Sequence, residues 1–256
     1  MGSEMCIRDR PDVLAEGRTY LADSSRDRSH NVALGLARID GVLVPPGGGF
    51  SFNEATGPVS ARAGFRRGYG IAMADGQVTT VPSIGGGICQ VATTLFHAVF
   101  RAGLPIVERR GHLYWMPRYG RLPSGLPGLD ATVDDVSGVD FQFANATDDW
   151  LRVAATVEGG YAVVRLHGVA PGWTVTIDPP IISNVVRPPR GVVERPDPTL
   201  ARGRRLVIEH AENGMRVAIR RVVRATDGRP REERVFVAGY APARDVVLVG
   251  TGGATA

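Results

Sequence analysis

The amino-acid sequence predicts an α+β fold, in which a mixed domain built on a glycine loop, a helix and antiparallel sheet precedes a small all-β module. Three observations carry that expectation. Apolar residues at helical spacing follow three consecutive glycines near residue 88, runs of strand character joined by Gly-Gly and Asp-Gly fill the second half, and proline-rich stretches near 179 and 187 divide it. With 256 residues and 43% apolar content, the chain can bury one large core or two smaller ones.

Residues 1–10 are similar to a translated sequencing adapter and are set aside as a non-native start, so a signal peptide or membrane anchor is expected to be missing with the native N-terminus. The mixed domain is expected over 11–178. Ser29 is a candidate cap for a helix carrying Val32, Leu36 and Ile39, and Gly41 leads into a strand at Val42 to Val44 stopped by Pro45-Pro46. A turn at Pro46 to Gly49 opens a short alternating segment at Phe50 to Asn53, closed by Gly57-Pro58. Glycines between 64 and 87 predict extended chain and loops gathered around a site. The clearest helix comes next, with Ile88, Val91, Ala92, Leu95, Ala98 and Val99 on one face and Gly103 as its stop. A short strand from Leu104 then leads to His112, and a proline- and glycine-rich loop runs from Pro117 to Gly128. Leu151 to Val157, Tyr161 to His167 and Trp173 to Ile177 read as a three-stranded meander, its first turn at Gly159-Gly160. Residues 179–190 read as a stiff linker. Over 191–256, strands are expected near 204–209, 215–224, 232–238 and 245–249, with Asp227-Gly228 a hairpin turn. This tail holds no plausible nucleophile and reads as a binding or spacing module.

All 30 basic residues are arginine, which removes Schiff-base, Ser-Lys and Walker-type lysine mechanisms. Residues 179–256 hold 14 arginines against 8 acids, net +6, whereas residues 1–178 hold 16 against 18, net −2. The tail arginines are interleaved with acids and lack an aromatic stacking platform, so no nucleic-acid partner is expected and an anionic polymer of another kind fits the tail. Only Cys6 and Cys89 are cysteines, and the first lies in the doubtful start. One reliable cysteine allows no internal disulfide, and with one nearby histidine it is too few soft ligands for zinc, so neither metal nor cofactor is expected.

Cys89 falls in the first turn of the best helix, where free amides and the helix dipole favour thiolate over thiol. Gly85, Gly86 and Gly87 let backbone N–H groups approach a ligand and could form an oxyanion site beside it. The alternative is a small buried hydrophobe behind a tight turn. A nucleophilic thiol needs a base. His97 lies eight residues along the same helix, about 12 Å away at 1.5 Å per residue, and reads as a packing residue. His30, His167 and His210 read as structural. His112 is the best candidate because a helix-to-strand return can carry it back toward the helix N-terminus. Asp130 is a candidate to orient that imidazole, and Arg109 to hold a carboxylate or oxyanion, with a loop ion pair as the alternative for both. Asp134 and Asp135 read as a solvated turn.

The residues Phe50-Ser51-Phe52-Asn53, Gly57-Pro58, Gly85-Gly86-Gly87-Ile88-Cys89-Gln90-Val91, Glu108-Arg109, His112 and Asp130-Ala131-Thr132-Val133 together resemble the VanW family of bacterial cell-envelope proteins, over about residues 28–168. The tail, with Arg195-Pro196-Asp197-Pro198 and Val249-Gly250-Thr251-Gly252, is similar to a G5 module. The resemblance implies an extracytoplasmic protein linked to glycopeptide resistance, and a cysteine L,D-transpeptidase that forms 3-3 crosslinks between peptidoglycan stem peptides. It implies Cys89 as acyl acceptor and His112 as base; beside them, the residues themselves make Asp130 the expected partner of His112 and place Gly86, Gly87, Gln90 and Arg109 around the substrate. Leu113, where family members commonly carry serine, and the longer path through Pro117 to Gly128 depart from the pattern and bear on specificity. A non-catalytic wall-binding protein and a cysteine peptidase or amidase are the rival readings, the tail holding glycan or an anionic wall polymer in the first.

Overall fold

The structure, a computed structural model, describes residues 12–74, 77–120 and 125–253. The adapter-like start with Cys6, and residues 121–124 of the expected loop, lie outside the described residues. In chain order the elements begin with strand β1 (Asp12–Tyr20), helix α1 (Arg26–Ile39), strands β2 (Leu43–Val44) and β3 (Gly49–Ser51), the short helix α2 (Phe52–Thr56), and strands β4 (Arg67–Ala74) and β5 (Gln77–Ile84). Helix α3 (Ile88–Ala102), strand β6 (Ile106–Glu108), the single turn α4 (Pro117–Gly120), strand β7 (Gln142–Ala144) and strands β8 (Leu151–Glu158) and β9 (Tyr161–Gly168) come next. Strands alone make up the rest: β10 (Trp173–Ile177), β11 (Ile181–Val186), β12 (Val193–Ala201), β13 (Arg205–Glu209), β14 (Gly214–Ala225), β15 (Pro230–Tyr240) and β16 (Val246–Gly252). The fold is therefore mostly β, with antiparallel pairing everywhere except β12 on β16.

Sheet order is β1-β9-β8-β2 in the first part, beside a small sheet β3-β7-β6 and the hairpin β4-β5. Gly159 and Gly160 turn β8 into β9 with φ of 58° and 82°, which a two-residue turn matching the strand twist requires. Five local differences from the sequence reading stand out. Helix α1 starts one turn before Ser29, because Ser25 Oγ accepts the Arg28 N–H at 3.3 Å and caps it. The alternating segment read at Phe50 to Asn53 is extended only to Ser51: from Phe52 the chain coils into a helical turn to Thr56, capped by Ser51 Oγ on the Glu54 N–H. The glycine-rich stretch before the cysteine is extended, as expected, but it pairs with itself as the hairpin β4-β5 where the sequence also predicts loops. Strand β10 leaves the meander: it pairs with β14, and Trp173 Nε1 donates to the Ala102 carbonyl at 2.9 Å. Alternation predicts a strand without naming its partner. The stretch read as a linker carries β11, an exposed edge strand on β14.

Helix α3 is the axis of the core. Val91, Ala92, Leu95, Phe96, Ala98, Val99 and Phe100 are fully buried, and Gln90, Thr93, Thr94 and His97 on the other faces are buried too. A helix enclosed all round must have neighbours on every side. On one, β1 lies so close that a Cβ at Gly17 would sit 2.0 Å from the Thr94 carbonyl oxygen, so only glycine fits. On another, Met215, Val217, Ile219, Phe236, Ala238 and Tyr240 of β14 and β15 belong to the same hydrophobic cluster as α3. Arg221 of β14 is wholly buried there. Its guanidinium donates to the carbonyls of Phe100 and Leu104 at 3.1 and 3.0 Å, pairs with Glu232, and stacks on Phe100 and Phe236 at 5.0 and 5.1 Å. A cation at the C-terminal end of a helix satisfies the open carbonyls and the dipole together.

Candidate functional site

Three glycines deliver α3 into a cleft. Gly85 and Gly87 hold φ of 79° and 116°, and a Cβ on Gly86 would meet the Tyr69 nitrogen at 2.6 Å, so the turn folds tightly against β4. Gly87 caps α3 without a side chain. The Ile88 and Gln90 amides donate to the Gly85 and Gly87 carbonyls, and among the described residues the Cys89 amide has no backbone acceptor. An open first-turn amide of this kind is a donor available to a ligand.

Cys89 is half-buried on the wall of a cavity of about 720 Å3, lined also by Arg28, Tyr69, Gly85 to Gly87, His112 and Asp134. That size is within the range of small-ligand sites. The Cys89 sulfur lies 3.5 Å from the Val133 carbonyl oxygen and hydrogen-bonds His112. His112 in turn meets Asp130 through Nδ1, while its backbone N–H donates to Asp130 Oδ2 at 2.9 Å. The other carboxylate oxygen, Oδ1, accepts from Tyr240 at 2.6 Å and from Arg109 at 3.3 Å. Sequence positions 89, 112 and 130 thus form one chain of hydrogen bonds, backed by the Tyr119 ring with its centroid 5.4 Å from that of His112.

Charge follows geometry. Burial pushes the Cys89 thiol up, but its hydrogen bond to His112, the His112 charge, the Val133 carbonyl contact and Arg28 together bring it below its usual value. Burial would strip the proton from His112, yet Asp130 and Cys89 outweigh it and hold the imidazole well above its ordinary range. Burial opposes ionisation of Asp130, and His112, Arg109 and Tyr240 override it, keeping the carboxyl below the usual carboxylate range. All three shifts favour a thiolate beside an imidazolium.

The remaining sequence candidates fall elsewhere. Gly86 and Gly87 line the cavity. Arg109 does not reach into it: its Nε donates to the Asp130 carbonyl at 2.6 Å, its Nη2 to the Gly128 carbonyl at 3.1 Å and its Nη1 to the Val237 carbonyl at 3.3 Å. A guanidinium with its donors so engaged braces the Asp130 loop. Gln90 is fully buried behind the turn, donating to Thr19 Oγ1 and the Tyr20 carbonyl and accepting from Arg28 Nη2 at 2.7 Å. Arg28, which sequence reading does not single out, lines the cavity wall, as does Arg110, and its guanidinium is held also by Tyr119 Oη at 3.3 Å. Its signal is faint, since nothing near residue 28 advertises a site 61 residues downstream. His97 is fully buried and donates from Nε2 to the Leu129 carbonyl at 2.5 Å, and burial holds it to about 3. His30 contacts the Gly64 carbonyl and His210 lies in the exposed tail. Among the described residues no group of three or more His, Cys, Asp or Glu could hold a metal ion, and no helix is long and apolar enough to cross a membrane.

The sequence model of a family described as VanW like protein matches residues 27–167. Two curated proteins are similar: the uncharacterised protein YoaR of Bacillus subtilis (strain 168), 36% identical over 165 residues, and the vancomycin B-type resistance protein VanW of Enterococcus faecalis (strain ATCC 700802 / V583), 28% identical over 129 residues. The matches cover 64% and 50% of this chain, and the chain spans about half the length of each relative, 51% and 44%. Among solved structures, the chain is similar to an IgA1 protease G5 domain at 20% identity and TM-score 0.17, over 31% of this chain and 90% of that one. It is also similar to the HP0197-G5 structure, at 15% identity and TM-score 0.14, over 30% and 97%.

Proposed function

Because the chain belongs to the VanW-like family, we propose that it works on peptidoglycan outside the cytoplasm, as a cysteine L,D-transpeptidase that passes through a thioester. The observation that carries this reading is the unbroken chain from Cys89 through His112 to Asp130 at the mouth of a glycine turn. A thiolate there is a competent acyl acceptor, and the imidazolium beside it is a ready proton donor. A link to vancomycin resistance rests on the name of the Enterococcus relative.

In the proposed cycle, Cys89 Sγ attacks the carbonyl carbon that precedes a terminal D-alanine of a stem tetrapeptide. The oxyanion so formed is held by the Cys89 amide, with the Gly86 to Gly87 backbone beside it. The C–N bond breaks, the His112 proton goes to the departing D-alanine amine, and a thioester remains. An amine from a second stem then attacks that thioester and gives its proton to His112, and the C–S bond breaks to return thiolate and imidazolium. Arg28 takes the part that the sequence suggested for Arg109: its guanidinium lines the cavity, steadied by Gln90 and Tyr119, and suits a stem carboxylate. The arginine-rich tail, net +6, suits glycan or an anionic wall polymer.

Purified tetrapeptide stems incubated with the full chain, with and without an acceptor amine, test the proposal by mass spectrometry. A mass adduct on Cys89 and a crosslinked product that needs the acceptor are expected, and Cys89→Ala should abolish both. Release of D-alanine without crosslinking would instead mark a peptidase. A product profile that Cys89→Ala leaves unchanged would leave a wall-binding protein.

A further inference from the structure

The tail reaches the reacting groups. Tyr240 closes strand β15, 110 residues after Asp130, and its buried hydroxyl donates to Asp130 Oδ1 at 2.6 Å. Around it the same strand and its neighbours are fixed to the first part of the chain. The Ala241 N–H donates to the Leu113 carbonyl at 2.8 Å, next to His112, Arg109 Nη1 donates to the Val237 carbonyl, and Arg234 Nη1 donates to the Ile106 carbonyl at 3.0 Å. A spacer or independent binding module would have no reason to bury a polar side chain against a carboxylate of another unit.

We propose that Tyr240 is a positioning residue of the cysteine site, and that the tail is a working part of that site rather than an appendage. The inference rests on the Cys89–His112–Asp130 reading above. The physical argument concerns how much negative charge Asp130 presents to His112. Its Oδ2 serves the histidine, through both the ring and the backbone N–H. Hydrogen bonds from Tyr240 and Arg109 to Oδ1 draw charge toward the far side of the carboxylate and fix its plane. With that charge shared, the imidazolium stays acidic enough to release its proton to a leaving amine. The titratable groups that face this arrangement are Cys89 and His97 of α3, Arg28 of α1, Tyr119 of α4, Arg109 and Asp130 of the loops, and Tyr240 of β15. Of these, Tyr240 is contributed by the tail.

The test uses the full chain and two readouts that need no turnover: the rate of Cys89 alkylation by iodoacetamide against pH, and the titration of His112 followed by 15N NMR of its ring. In Tyr240→Phe the ring still fills its place while Asp130 loses a donor, so the His112 midpoint should rise by about half a pH unit or more. If that variant fails to fold, 3-fluorotyrosine at position 240, a stronger donor of nearly the same shape, should move the midpoint down. Val235→Thr, on an exposed face of the same strand, should leave it in place. A His112 midpoint that does not move, or moves the opposite way, overturns the role of Tyr240. A wild-type Cys89 that alkylates with ordinary thiol acidity overturns the underlying reading instead, so the two failures are distinct.

Discussion

Lowering the pH from 7 to 4 protonates His97 in the unfolded chain but not in the folded one. The imidazole is fully buried, donates from Nε2 to the Leu129 carbonyl and leaves Nδ1 without a partner among the described residues. Burial, and after it the Arg101 charge, holds its pKa to about 3 against an ordinary 6.5. Because the folded value is the lower one, the unfolded state binds more protons below 6.5, and stability falls with pH until the folded value is reached. At about 1.4 kcal/mol per pKa unit, the gap caps the loss near 5 kcal/mol, with about 2 kcal/mol gone by pH 5 and about 3 kcal/mol by pH 4. His97→Gln supplies a non-titrating N–H that can serve the same carbonyl. Urea unfolding of both proteins at pH 7, 6, 5 and 4 isolates the effect, because the carboxylates are common to the two curves. The wild type should lose about 3 kcal/mol more than the variant over that range. Parallel curves would refute the reasoning, since they would mean that a proton enters this part of the folded core at no cost.

Four further outcomes are expected. Asp130→Asn removes the charge that holds His112 protonated, so iodoacetamide alkylation of Cys89 at pH 7 should fall about tenfold or more. On the proposed reaction, kcat/KM should rise with pH as Cys89 ionises, below its usual value, and fall as His112 loses its proton above 6.5, and a profile with no alkaline limb would contradict the proton-donor role. Arg221→Met strips the donors from the Phe100 and Leu104 carbonyls and unpairs Glu232, a loss of about 3–5 kcal/mol by urea unfolding. Gly17→Ala forces a methyl against the Thr94 carbonyl and should cost about 1–3 kcal/mol by the same measurement.

Short-range features are the legible ones. The glycine turn, the helix behind it with its Gly103 stop, and the Gly-Gly and Asp-Gly hairpins are set by backbone conformations that few residues other than glycine adopt, and they stand where the sequence puts them. Strand partners are not legible. Strand β10 alternates as an edge of the meander would, but the choice between β9 and β14 lies in what Trp173 finds at the end of α3. Strand β12 escapes sequence reading because Pro196 and Pro198 argue against a paired strand, and it survives as a parallel partner of β16 at the edge of its sheet. In the site, the residue types Cys89, His112 and Asp130 could be picked because each has a chemistry of its own. Arg109 and Arg28 could not be told apart from sequence. Both are arginines near apolar stretches, and only the folded chain decides which guanidinium is consumed by carbonyls and which faces the cleft.

The family match ends at residue 167, yet the segment it covers is not closed without the strands beyond that point. Helix α3 carries Cys89 at its first turn, and its last turn depends on Arg221 and Trp173 for the Phe100 and Ala102 carbonyls. Removing the tail would uncover Phe100, which packs on Phe236, and would leave those carbonyls to water at the end of an otherwise buried helix. A fully buried arginine also makes the junction unforgiving, because its charge is tolerable only while Glu232, the α3 carbonyls and two aromatic faces surround it together. The same tail then supplies Tyr240 to Asp130. A rigid α3 anchored at its C-terminal end fixes where its N-terminal turn lies, and a carboxylate anchored from β15 fixes where the imidazole lies. The distance between sulfur and ring, on which any proton transfer between them depends, is therefore set from outside the family segment as much as from within it.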